Sequence, residues 1–174
     1  MTLPALQEWR DFYVMVGTAS GVIVGATFVV ATLASGLVEK RALGMKGFIT
    51  PTTVHLGSVL VGSAILTVPT LTALALSILL GAGALGGVIY GVIVYTRITR
   101  LNIDLIDRCW YGILPILAYG LLGVAAWLVF AAIGPGLELV ATALVLLLIA
   151  GMRNAWDMAT FMIMGGPKAG DGKG

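Results

Sequence analysis

Charge is scarce in this chain of 174 residues: Asp, Glu, Lys and Arg make up 10% of it, against about 25% in soluble domains. With 59% hydrophobic residues, such a chain is solvated mostly by lipid. Cysteine and histidine are almost missing. A single cysteine, Cys109, excludes an intrachain disulfide. With one histidine as well, the usual structural zinc sites are excluded within one chain. There is no basic patch or recognition motif to hold a nucleic acid. HExxH, GxSxG and P-loop patterns are absent, and no two carboxylates are expected at one depth in a membrane core. The chain therefore reads as a non-enzyme. The N-terminus, MTLPALQEWRDFY, lacks a basic n-region and a small-residue cleavage motif, so the first apolar segment is expected to stay as an anchor.

Long apolar runs are present instead. A bilayer core needs about 20 apolar residues per helix, and the hydropathy pattern predicts an all-α integral membrane bundle of five transmembrane helices. They are expected at about 12–38, 52–68, 71–96, 109–133 and 137–164, in one membrane domain with a tail over 165–174. A polar connector, 39–51, follows the first. Pro69 divides the long apolar block 52–96, because proline removes a helix hydrogen bond and disfavours helix at the residue before it. Pro115 is expected to kink the fourth span, and GPG (134–136) turns the chain into the fifth.

Basic residues alternate with these spans. Lys40, Arg41 and Lys46 lie in the first connector, Arg97, Arg100 and Arg108 in the third, and Lys168 and Lys173 in the tail. The turns at 69–70 and 134–136 carry no charge. The positive-inside rule makes the basic side cytoplasmic, so the N-terminus is expected outside and the C-terminus in the cytoplasm.

Two glycine ladders share one spacing: Gly17, Gly21 and Gly25 in the first span, and Gly83, Gly87 and Gly91 in the third. Residues four apart share a helix face, and association in lipid relies on such close approach. These faces pack within the subunit or against another chain. In the second span, Thr52, His55, Ser63, Thr67 and Thr70 fall within about 120° of one helix face. That stripe can be inert, each hydroxyl bonding its own helix; it can bond a partner helix; or it can line a polar path. His55 is the single candidate for cofactor binding, since imidazole can bind a metal, but no second ligand is evident. No cofactor is expected, and bound lipid is.

The fifth span carries GMRNAWDMATFMIM (151–164). Arg153 lies about 24 Å along it at 1.5 Å per residue, near the edge of a core about 30 Å thick. Arg153 and Asp157 are four apart and can pair. The third connector brings Arg97, Arg100, Asp104 and Asp107 to the same side, with Asp104, Asp107 and Arg108 at helical spacing. A layer of ion pairs fixing the helix ends is expected there, with Asp104 or Asp107 meeting Arg153 and Arg97 or Arg100 meeting Asp157. A docking surface and ion passage are the alternatives.

W-x2-F-Y-x-M-x-G (Trp9, Phe12, Tyr13, Met15, Gly17) and R-N-A-W-D-x3-F (Arg153 to Asp157, then Phe161) resemble a family of small bacterial multispanning membrane proteins with no known function. The resemblance implies the bacterial inner membrane and transfers no site residues. The expected role is a non-enzymatic, multi-pass subunit, with membrane lipids and itself or other membrane subunits as partners and no nucleic acid. The alternative is a homo-oligomeric channel or small transporter lined by the second-span stripe.

Overall fold

The computed structural model describes residues 5–35, 39–100 and 105–164, with side chains described over 6–32, 51–100 and 105–160. No strand occurs among the described residues. A single turn, α1 (Ala5–Glu8), precedes α2 (Arg10–Ser35), α3 (Glu39–Leu66), α4 (Ala73–Ile98) and the short α5 (Leu105–Arg108). A π-helical turn, Cys109–Ile113, leads into α6 (Leu114–Phe130), and α7 (Gly136–Met164) is the last described helix. Residues 36–38, 101–104 and 165–174, including Asp104 and the expected tail, lie outside the described residues.

Four stretches are long and apolar enough to cross a membrane: Arg10–Thr32, Ala73–Ile98, Leu105–Phe130 and Gly136–Thr160. The fifth, Pro51–Leu66, is shorter, reaching about 24 Å at 1.5 Å per residue. The expected polar connector 39–51 is also corrected. Its backbone is the first half of α3, which runs from Glu39 through Pro51. Polarity alone marks a loop, but EKRAL and MK are strong helix formers, and they carry the helix back from the apolar segment.

Local chemistry sets the other boundaries. Pro69 cannot extend α3, which ends at Leu66, and Thr72 caps α4 by accepting the Ala75 N–H at 3.2 Å. Before α6, the Leu114 N–H reaches the Cys109 carbonyl, five residues back. This wider turn precedes Pro115, whose ring would otherwise crowd the carbonyl four residues behind it. The end of α6 has paired return bonds, Ile133 N–H to Leu128 O at 2.9 Å and Ala132 N–H to Val129 O at 3.3 Å, with Ala132 in the left-handed region at φ 56°.

The C-terminal helix is the centre of the bundle. α7 packs against α2, α3 and α6, while α4 rests chiefly on α6. Half of the apolar stretch of α7 (50%) is buried, against 22% for α2. Glycines set the closest approaches between antiparallel neighbours. A Cβ on Gly151 would lie 2.6 Å from Leu56, and one on Gly62 would lie 3.3 Å from Leu144, which fixes the α3–α7 register. Gly91 meets Ile116 and Gly112 meets Tyr95 along the α4–α6 pair. The outer surface is apolar: Met15, Val22, Phe28, Ile78, Leu85, Leu117 and Trp127 are exposed, as lipid-facing side chains are.

Candidate functional site: a buried polar centre

Where α3, α4 and α6 meet, the bundle encloses polar side chains. His55 is 0% exposed, and its Nδ1 lies 3.2 Å from the Tyr119 hydroxyl. Tyr119 donates to Ser58 Oγ at 3.0 Å, and Ser58 donates to its own helix at the Val54 carbonyl, 2.8 Å away. Tyr90 of α4 meets the imidazole edge-on, with ring centroids 6.1 Å apart. A chain of hydrogen bonds thus starts at the imidazole and ends on a backbone carbonyl.

Three described side chains are buried with polar atoms that have no protein partner: His55 Nε2, Ser63 Oγ, and both Oδ1 and Nδ2 of Asn154. An unsatisfied buried polar atom costs about 1–3 kcal/mol, so such groups are unusual and informative. Asn154 is 1% exposed. It belongs to the central helix, one turn beyond the Gly151–Leu56 contact.

The second-span stripe divides among different neighbours. Thr52, His55 and Ser63 are buried, but His55 faces Tyr119 whereas Ser63 faces α2, where a Cβ on Gly17 would lie 2.9 Å from the Ser63 Cβ. Thr67 returns its hydroxyl to the Ala64 carbonyl, and Thr70 is exposed beyond the end of α3. The five residues therefore do not line one continuous path. α2 is also tied to α3 by Ser20, whose hydroxyl donates to the Leu56 carbonyl at 2.7 Å.

The glycine ladders are each used in part. In α4, Gly87 lies under the Tyr119 ring and Gly91 under Ile116, while a Cβ on Gly83 would meet nothing within 4 Å. In α2, Gly17 is tight, Gly21 has ordinary contact with Leu60 at 3.8 Å, and Gly25 is open. The two ladders do not face each other. One packs on α3 and the other on α6.

At the end of the bundle that holds the C-terminus of α7, Arg153 Nε pairs with Asp157 Oδ2 at 3.2 Å. The Arg153 guanidinium sits 5.4 Å above the Trp110 ring. Tyr111 donates to the same carboxylate oxygen at 2.6 Å. Arg97 and Arg100 are exposed at the end of α4, and neither bridges Asp157. Asp107 lies in α5, among the described residues not bridging Arg153. Asp157 takes its partners from its own helix and from the π-helical turn because α6, not α4, packs beside α7. Within RNAWD, then, Arg153 and Asp157 face α6, Asn154 turns inward, and Trp156 is 67% exposed.

Several contributors were not singled out by sequence reasoning: Tyr119, Ser58, Tyr111, Trp110 and Ser20. Tyr119 carried a usable signal, since a tyrosine inside an apolar span needs a partner for its hydroxyl when buried. Tyr13 carried another. It is 0% exposed, with its hydroxyl donated to the Leu137 carbonyl at 3.1 Å, so it joins α2 to α7. No group of three or more His, Cys, Asp or Glu able to hold a metal occurs among the described residues. Compared with protein families, curated proteins and solved structures, the chain matches none.

Proposed function

We propose that this protein is a non-enzymatic, multi-pass subunit of the bacterial inner membrane that assembles with copies of itself or with other membrane subunits. Its N-terminus would face outward and its C-terminus the cytoplasm. The orientation is supported by the basic residues of the connectors and by Arg97, Arg100 and Arg153, which lie at the α7 C-terminal end of the bundle. The observation that carries the assembly role is the division of the glycine ladders. Gly87 and Gly91 on α4, and Gly17 on α2, are consumed by contacts within the chain, while Gly83 and Gly25, on the same two helices, remain open. Open notches on lipid-facing helices let a second backbone approach closely. The channel alternative has less support, because the stripe meant to line it is split between separate helix contacts.

Gentle extraction into lipid nanodiscs followed by native mass measurement tests the assembly role. The wild type is expected as an oligomer or a larger complex. Gly25→Leu and Gly83→Leu are expected to release the monomer without lowering its unfolding midpoint. A wild type that is monomeric and alone in native extracts overturns the proposal. Selective flux through purified protein in liposomes, lost in Ser63→Leu and Thr67→Leu, would favour the channel.

A further inference from the structure

The direction of the hydrogen-bond chain determines the histidine tautomer. The Val54 carbonyl can only accept, so the Ser58 hydroxyl proton is committed to it. Ser58 Oγ therefore accepts from Tyr119, and the Tyr119 proton is committed in turn. Tyr119 can then only accept from the imidazole, which places the ring proton on Nδ1. Nε2 is left as a buried lone pair with no protein donor.

Asn154 converges on the same region. Gly151 meets Leu56 and Leu144 meets Gly62, so Asn154 is level with residues 53–54 of α3. His55 then stands only about 3 Å further along the axis at 1.5 Å per residue. At about 100° per residue, Asn154 points between the α7 face that carries Gly151 onto α3 and the face that carries Arg153 and Asp157 onto the start of α6. His55 occupies the matching sector, between α3 and α6. A bare acceptor and a carboxamide whose nitrogen and oxygen are both unpartnered thus lie at nearly one level of the bundle, with the buried Thr52 on the same part of α3.

We propose that His55 Nε2 and Asn154 form an internal binding site for a small neutral hydroxyl-bearing molecule, reached from the end of the bundle that holds Arg153 and Asp157. The hydroxyl proton goes to Nε2, its oxygen accepts from Asn154 Nδ2–H, and a second proton of the ligand reaches Asn154 Oδ1. A buried water needs two to four polar partners, and these three atoms supply them. An anion is disfavoured because it would face the Nε2 lone pair. A cation is disfavoured because the nearest carboxylate, Asp157, is already held by Arg153 and Tyr111. Access is shortest at this end, since Arg153 and Asp157 flank Asn154 on α7 and both are partly exposed. The site lies inside one chain and does not depend on the assembly role.

The lone histidine makes the test direct. In the full chain in lipid bilayers, isotope-labelled histidine gives one imidazole, whose two ring nitrogens are distinguished by their shifts in solid-state NMR. The expected spectrum shows a protonated Nδ1 and a bare Nε2 that receives magnetisation from water. Glycerol added to the bilayers is the second probe. A saturable shift of Nε2 identifies a solute hydroxyl, and an unmoved resonance that still receives water magnetisation identifies water itself. Asn154→Leu is expected to abolish the transfer, and Asn154→Ser to retain it. A protonated Nε2, or an Nε2 reached by neither water nor glycerol, overturns the proposal on the wild type alone, whether or not the leucine variant folds.

Discussion

Gly87→Ala tests the tightest glycine contact among the described residues with one methyl group. A Cβ at Gly87 would lie within the contact envelope of the Tyr119 ring, whose hydroxyl is tied to His55 and Ser58. If the ring moves, two buried hydrogen bonds of about 1 kcal/mol each are lost. If α4 moves instead, the overpacking penalty is about 1–3 kcal/mol. Helix propensity returns up to about 1 kcal/mol when glycine becomes alanine, leaving a net loss of about 1–2 kcal/mol. Gly83→Ala, one turn away on the same helix, meets nothing within 4 Å and keeps the propensity gain of up to about 1 kcal/mol. The two variants should therefore differ by about 2–3 kcal/mol, more than tenfold in the folded-to-unfolded ratio. Reversible unfolding in mixed micelles of rising SDS content, followed by tryptophan fluorescence, measures the difference. Tyr119→Ala in the Gly87→Ala background should remove most of the alanine penalty, as a double-mutant cycle would register. Equal midpoints for Gly87→Ala and Gly83→Ala would refute the close-packing account of α4 on α6.

Three further outcomes are expected from the same unfolding assay. Ala132→Gly should raise stability by about 0.5–1 kcal/mol, because a left-handed residue at φ 56° costs an alanine about 1–2 kcal/mol and glycine repays part of that in unfolded-chain entropy; a loss of stability would count against the observed turn. Tyr111→Phe removes the 2.6 Å bond to Asp157 and should cost about 1.5–3 kcal/mol, as bonds to charged groups do; an unchanged midpoint would show that the carboxylate does not depend on it. Gly17→Leu should be more damaging than Gly21→Leu, since Gly17 is jammed against Ser63 while Gly21 has only ordinary contact with Leu60, and the reverse order would displace the α2–α3 register.

The architecture was legible where one physical scale dominates. Lipid demands long uninterrupted apolar helices, so the positions of α2, α4, α6 and α7 follow from hydropathy and from Pro69 and Gly136. Arg153 and Asp157 were legible as a pair because four residues on a helix always share a face. The helical backbone of 39–50 was not, since a polar, charged composition is compatible with both a loop and a helix. Tyr111 and Trp110 could not be assigned to the Arg153–Asp157 pair, because their contact crosses from one helix to another, more than forty residues along the chain.

The glycine ladders and the polar stripe show where sequence stops. Spacing places Gly83, Gly87 and Gly91 on one face, but only the crossing of α4 over α6 decides that Gly87 meets a tyrosine ring while Gly83 meets nothing. Helical periodicity likewise aligned His55 with Ser63, yet α3 has several neighbours, and those two residues reach different ones. Sequence by itself determined that this chain is a helical, multi-pass membrane protein, because burial in lipid depends on composition and length. The tertiary structure alone decided that Tyr119 orients His55 and that Asn154 is buried without a protein partner. Those relations depend on the angle and register at which separate helices cross, and no spacing within a single helix encodes either.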